Sequence, residues 1–136
     1  MDTVTFPGRY ESLARISDFV AKAASQAGLD HNSIYAVQLA VDEACCNIID
    51  HAYGGEDIGD VKCTVDVREG EITVILQDRG QPFNPEQVPL PNLNTPLHKV
   101  KSRGAGLYLI RKMMDKVQYE SKPGSGNVLT MQKRRS

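Results

Sequence analysis

Asp42-Glu43-Ala44-Cys45-Cys46-Asn47-Ile48-Ile49-Asp50-His51-Ala52-Tyr53 is the stretch on which the reading of the whole chain turns. It holds neither glycine nor proline, and its Ala44 and Ile48 continue an apolar series from Ile34, Val37 and Val41. Steps of three and four between apolar residues write one face of a helix. That helix is expected to start near Asn32 or Ser33, both good N-cap types, and to run to about Tyr53 before Gly54-Gly55 breaks it. Glu43, Asn47 and His51 are spaced four apart, so they form a polar stripe beside the apolar one, with about 6 Å between neighbours. A solvated helix face would use the same residues. The sharper reading is a site in which Glu43 accepts a proton and Asn47 offers its amide oxygen to Mg²⁺. That ion suits a single amide ligand because it keeps waters and substrate phosphates in its shell.

Working outward, Thr3 to Phe6 alternates like a short strand and ends at Pro7-Gly8. From Tyr10, the residues Leu13, Ile16, Val20, Ala23 and Ala27 predict an amphipathic helix that stops at Gly28. Beyond the central helix, Val61 to Val67 alternates with polar residues, Glu69-Gly70 turns, and Ile72 to Leu76 forms a more apolar strand. From Asp78 to Ser102 prolines, asparagines and glycines replace any period, and a loop of that length inside a domain is usually a functional lid. A short helix from Gly106 to Asp115 and a hairpin of Val117–Ser121 with Val128–Gln132 close the chain. The order β-α-α-β-β-lid-α-β-β predicts an α+β two-layer sandwich. Its mixed, mostly antiparallel sheet would carry three helices on one face.

The 136 residues fit a single domain spanning 1–136, and 16 basic against 17 acidic residues leave a net charge of −1. Near-neutral charge gives no ground for a direct nucleic-acid partner, and Lys133-Arg134-Arg135 reads as a solvated tail. No apolar run is long enough to span a membrane, and the three cysteines form no CxxC pair, which together suggest a cytoplasmic protein with reduced thiols. Cys45 and Cys46 read as small helix-face residues.

Two further motifs bear on chemistry. Asp78-Arg79-Gly80 follows a strand directly; a carboxylate there can accept a hydrogen bond from an exocyclic amine, and Gly80 would let a flat ring approach the backbone. An ordinary D-x-G turn has the same text. Arg103-Gly104-Ala105-Gly106-Leu107 opens the third helix, where free N–H groups and the positive dipole end favour phosphate. Neither a dinucleotide fingerprint nor a P-loop is present. Residues 42–60 hold six acids and no Lys or Arg, whereas residues 99–116 hold six Lys or Arg and one acid. Such a pair of stretches suits a metal–triphosphate if they face one another, and plain solvation if they do not. Arg15, opposite the apolar stripe of the first helix, is a candidate interface anchor or a surface side chain with no such role.

With these motifs in this order, the chain resembles the GHKL ATPase superfamily, the Bergerat or histidine-kinase-like ATPase fold. Its short form is similar to the bacterial anti-sigma factor serine/threonine kinases. The resemblance covers nearly the whole chain, including Tyr10 to Arg15, Asp42 to Tyr53, and Gly104 to Lys133. It implies a kinase that binds ATP and Mg²⁺, with Glu43 as general base, Asn47 as Mg²⁺ ligand and His51 closing the same box, Asp50 lying between them. Asp78 and Gly80 match the adenine-reading motif. Arg103, Gly104, Ala105, Gly106 and Leu107 match the glycine box at a phosphate-covering lid of about 84–105, and Thr130 falls where the adenine pocket closes. The resemblance implies partners too: a STAS-type anti-anti-sigma protein that is phosphorylated on Ser or Thr, a sigma factor that is sequestered in transcription regulation, and a second copy in a homodimer. The alternative within the same fold is a nucleotide-dependent binding module without catalysis. Pro82 departs from the D-x-G-x-G form of the adenine motif and cannot donate a backbone N–H.

Overall fold

The computed structural model describes residues 1–82, 106–122 and 124–136. Strand β1 (Asp2–Pro7) leads through one 3-10 turn (Tyr10–Ser12) into α1 (Leu13–Gln26). Helix α2 (His31–Asn47) then passes directly into a π-helical turn (Ile48–Tyr53). After it come β2 (Asp60–Arg68), β3 (Glu71–Asp78), α3 (Gly106–Met113), β4 (Lys116–Lys122) and β5 (Gly126–Arg134). The order is the expected one; the expected lid at 84–105 lies outside the described residues.

Asp30, rather than Asn32 or Ser33, caps α2. Its carboxylate accepts from the Ser33 amide at 3.3 Å and from the Ser33 hydroxyl at 2.7 Å. Those bonds, joined by one from the Ser136 amide, hold the Asp30 carboxyl down at about 2. Ser33, a residue type that could itself have served as the capping acceptor, is instead the donor, three residues after the cap.

The five strands lie in the order β1-β2-β3-β5-β4, and each neighbouring pair is antiparallel. This corrects the expectation of a mixed sheet: among the described strands no pair is parallel. The reason is that the last hairpin docks through its second strand, so β5 runs back along β3 and leaves β4 at the edge. One sheet face buries Val61, Cys63, Val65, Ile72, Val74, Leu76 and Met131 against Ile16 and Val20 of α1, Val37, Val41 and Ala44 of α2, and Leu107 and Ile110 of α3. Burial of this kind is the main term holding the two layers together, at roughly 25 cal/mol per Å² of apolar surface. The opposite face is lined by polar side chains such as Thr73, Gln118, Thr130 and Gln132. All three cysteines are buried in the core and unbridged; burial pushes the Cys63 thiol up to about 12 and holds Cys45 well above its ordinary value. Among the described residues no helix is long and apolar enough to cross a membrane.

One glycine fixes how the hairpin meets the sheet. Gly126 has φ +93°, and a Cβ on it would lie 2.0 Å from the Asp78 carbonyl oxygen. Gly126→Ala is expected to cost about 2–3 kcal/mol and to lower the thermal midpoint by on the order of 10 °C in a melting experiment, because the close approach and the positive φ exclude a side chain together.

Candidate active site

Glu43 and Asn47 are one turn apart on α2, and each is only 3% exposed. A solvated face is thereby excluded for these two. His51, the third member of the expected stripe, is exposed. The separation occurs where α2 changes from i→i+4 to i→i+5 bonding at Ile48, so the regular stripe ends at Asn47. π-turns are rare and concentrate at functional sites. Here the carbonyl of Ala52 is taken by a long-range bond from the Gln81 amide at 2.8 Å, which ties the turn to the end of β3. Asp50 points to a different neighbour, accepting a hydrogen bond from the Tyr10 hydroxyl of the 3-10 turn.

Asp78 ends β3 and is 5% exposed. Its Oδ1 accepts from the Gly80 amide at 2.8 Å and from Asn127 Nδ2 at 2.8 Å. Burial pushes the Asp78 carboxyl above the ordinary range, and the Asn127 and Gly80 bonds act against that rise. Gly80 has a packing task besides the expected one. A Cβ there would stand 2.5 Å from the Ala52 carbonyl oxygen, so the residue lets the strand end pack on the π-turn.

A pocket opens between these elements. It is lined by Ala44, Asn47 and Ile48 of α2, Leu76 and Asp78 of β3, Leu107 and Ile110 of α3, Tyr119 of β4, and Asn127 and Leu129 of β5. Its walls are mostly apolar, with one carboxylate and two amides, which suits a flat, partly polar ring. Leu107, near the start of α3, lines the pocket, and Gly106 begins that helix. Arg103, Gly104 and Ala105 lie outside the described residues. Arg15 is exposed on α1, away from the pocket lining.

Thr130 does not reach this pocket. It lies with Thr73, Gln118 and Gln132 on the opposite face of the sheet, because Leu129 and Met131 on either side of it take the inward positions. Asn127 is the β5 residue that the sequence reading missed, with Tyr119 and Ser121 behind it. The signal that would have found it is the direct pairing of Asn127 with Asp78 across two strands far apart in sequence.

Among the described residues no three His, Cys, Asp or Glu side chains gather into a metal cage. Asn47, a neutral amide in the pocket wall, fits an ion delivered with its own phosphate oxygens and waters, as Mg²⁺ is, and not one that needs a full protein shell. The buried Asp78 carboxylate fits the amino edge of a base.

Comparison with known proteins agrees with this arrangement. A family model described as the histidine kinase-like ATPase domain matches residues 6–133. The serine-protein kinase RsbW of Halalkalibacterium halodurans is 33% identical over 135 residues, spanning 96% of this chain and 80% of that protein. The serine-protein kinase RsbW of Bacillus mycoides is 30% identical over 128 residues, spanning 91% and 79%. Among solved structures, the RsbU and RsbW domains of a Mycobacterium tuberculosis protein share the fold with a TM-score of 0.68 at 15% identity, over 98% of this chain and 31% of that one. The catalytic domain of histidine kinase ThkA does so with a TM-score of 0.55 at 16% identity, over 99% and 97%.

Proposed function

The chain belongs to the histidine kinase-like ATPase family, as a protein serine/threonine kinase, and from that premise we propose that it works on ATP·Mg²⁺ as an anti-sigma factor kinase. In this reading it phosphorylates a Ser or Thr of a STAS-type anti-anti-sigma protein, sequesters a sigma factor, and acts as a cytoplasmic homodimer of single kinase domains. The observation that carries the reading is the burial of Glu43 and Asn47 one helical turn apart beside a pocket whose far wall is the Asp78 carboxylate.

Each residue then has a defined task. Asp78 accepts a hydrogen bond from the amino group of the base, and Leu76, Leu107, Ile110 and Leu129 enclose the ring. Asn47 holds the Mg²⁺ through its amide oxygen; the ion supplies charge neutralisation on the phosphates when bound. The backbone amides of Gly106 and Leu107, at the start of α3, cover the phosphates. Glu43 orients the incoming hydroxyl and takes its proton as the phosphoryl group moves. Phosphoryl transfer depends mainly on position and charge, so few side chains suffice. Arg15, exposed on α1, is the proposed anchor for the protein partner.

A pull-down tests the partner half of this reading. With the tagged chain as bait and extract of its source organism as prey, a sigma factor and a small STAS-type protein are expected in the eluate, their balance shifting between ATP·Mg²⁺ and ADP. Recovery of neither under any nucleotide condition would overturn it.

A further inference from the structure

Asn127 sits at the centre of a polar network whose members come from three strands. Its Oδ1 accepts from the Tyr119 hydroxyl at 2.8 Å and from the Ser121 hydroxyl at 2.7 Å. Its Nδ2 donates to Asp78 Oδ1 at 2.8 Å and to the Gln81 carbonyl at 3.1 Å. The two acceptors on one side fix which end of the amide faces them: only an NH₂ can serve a carboxylate and a carbonyl together. The side chain is 4% exposed, so no bulk water competes for these positions.

The consequence falls on Asp78. Its Oδ1 already accepts two hydrogen bonds, from Asn127 and from the Gly80 amide, and among the described residues Oδ2 has no protein donor. Rotation of the carboxylate is blocked from both sides of Oδ1, which leaves Oδ2 as the oxygen offered to the pocket that Asp78 lines. We propose that Asn127, locked by Tyr119 and Ser121, is the positioning residue that aims Asp78 Oδ2 at the amino group of the bound base, and so sets the preference for an amino purine. This rests on the nucleotide reading above and adds to it a named residue that acts through Asp78. Asn127 is not offered as a catalytic group.

A merely structural role for Asn127 is the competing account, because the Gln81 contact also ties down the turn after β3. The two accounts part in the choice of ligand. The experiment measures binding of ATP·Mg²⁺ and of purine riboside triphosphate·Mg²⁺, which lacks only the 6-amino group, to the wild type, to Asn127→Ala and to the double variant Tyr119→Phe/Ser121→Ala. Wild type should prefer ATP by about tenfold or more, the usual size of a hydrogen bond to a charged group. In Asn127→Ala that preference should collapse toward unity, with affinity for the deamino analogue nearly unchanged. The double variant keeps the amide but unlocks it, and should lose a smaller part of the preference. Should Asn127→Ala fail to fold, the double variant carries the test alone. Equal loss for both nucleotides, or an unchanged ratio in folded variants, would overturn the proposal while leaving the nucleotide reading intact. Failure of the wild type to bind ATP would overturn both.

Discussion

Glu43→Ala is expected to lower phosphoryl transfer by about 10²–10⁴-fold, the range a positioned general base contributes, while ATP binding stays largely intact. The reason is its place on α2. Glu43 is buried one turn before Asn47, on the same face, yet the pocket lining itself includes Asn47 and not Glu43. On the proposed reading it serves the incoming hydroxyl rather than the nucleotide, since it lies outside the pocket lining. Because a buried carboxylate is being removed from a core helix, Glu43→Gln is the companion variant: it keeps the volume and removes the base. Single-turnover transfer and equilibrium binding, measured side by side, check the expectation. Transfer at the wild-type rate in either variant would remove Glu43 from the mechanism.

The second large effect is expected at Asp78. Asp78→Ala should weaken ATP binding by about ten- to a hundredfold, since a hydrogen bond to a charged acceptor is lost and the base amino group is left without a partner in an apolar pocket. The wild type should also show a pH dependence that the variant lacks. Burial raises the Asp78 carboxyl, so its protonation begins at a less acidic pH than the usual value near 4. ATP affinity should therefore fall as the pH drops through that raised value. The sign for folding is opposite. A carboxyl raised in the folded state contributes its stability at low pH, below the unfolded value, and loses that contribution as the pH rises through the folded value. Binding should thus weaken on acidification over a range where this group does not weaken the fold. Titration calorimetry across mildly acidic pH, with a parallel thermal melt, measures both.

The parts of the fold that depend on short-range pattern were legible in the sequence. The apolar stripes of α1 and α2, the turn at Glu69-Gly70 and the closing hairpin all follow from periods and turn residues within a dozen positions. The family resemblance drawn from the three motifs was right as well. The misreadings share a cause: each was decided by a distant contact. An α-turn and a π-turn differ little in local sequence, and the choice at Ile48 goes with the Gln81 amide capturing the Ala52 carbonyl. The text Val128-Leu129-Thr130-Met131 offers apolar residues at three of four positions, so parity alone could not say which way Thr130 faces. Pairing with β3 settles it, with Leu76 opposite Leu129 and Asp78 opposite Asn127. Gly80 was recognised as special, but its crowding neighbour, Ala52, lies on another element. Glu43, Asn47 and Asp78 could be singled out as candidates because residue type and helix or strand position sufficed, and the structure buries all three, with Asn47 and Asp78 in one pocket wall. Asn127 could not be singled out this way, because its importance comes wholly from what stands across the sheet.

The central claim is that this chain moves a phosphoryl group onto a protein hydroxyl, and one measurement addresses it directly. The purified chain is incubated with Mg²⁺, γ-labelled ATP and extract of its source organism, with Glu43→Ala in parallel, followed by phosphoamino-acid analysis of any labelled band. The account predicts one small protein labelled on Ser or Thr by the wild type and not by the variant. Tight ATP binding with no label on any protein would contradict it.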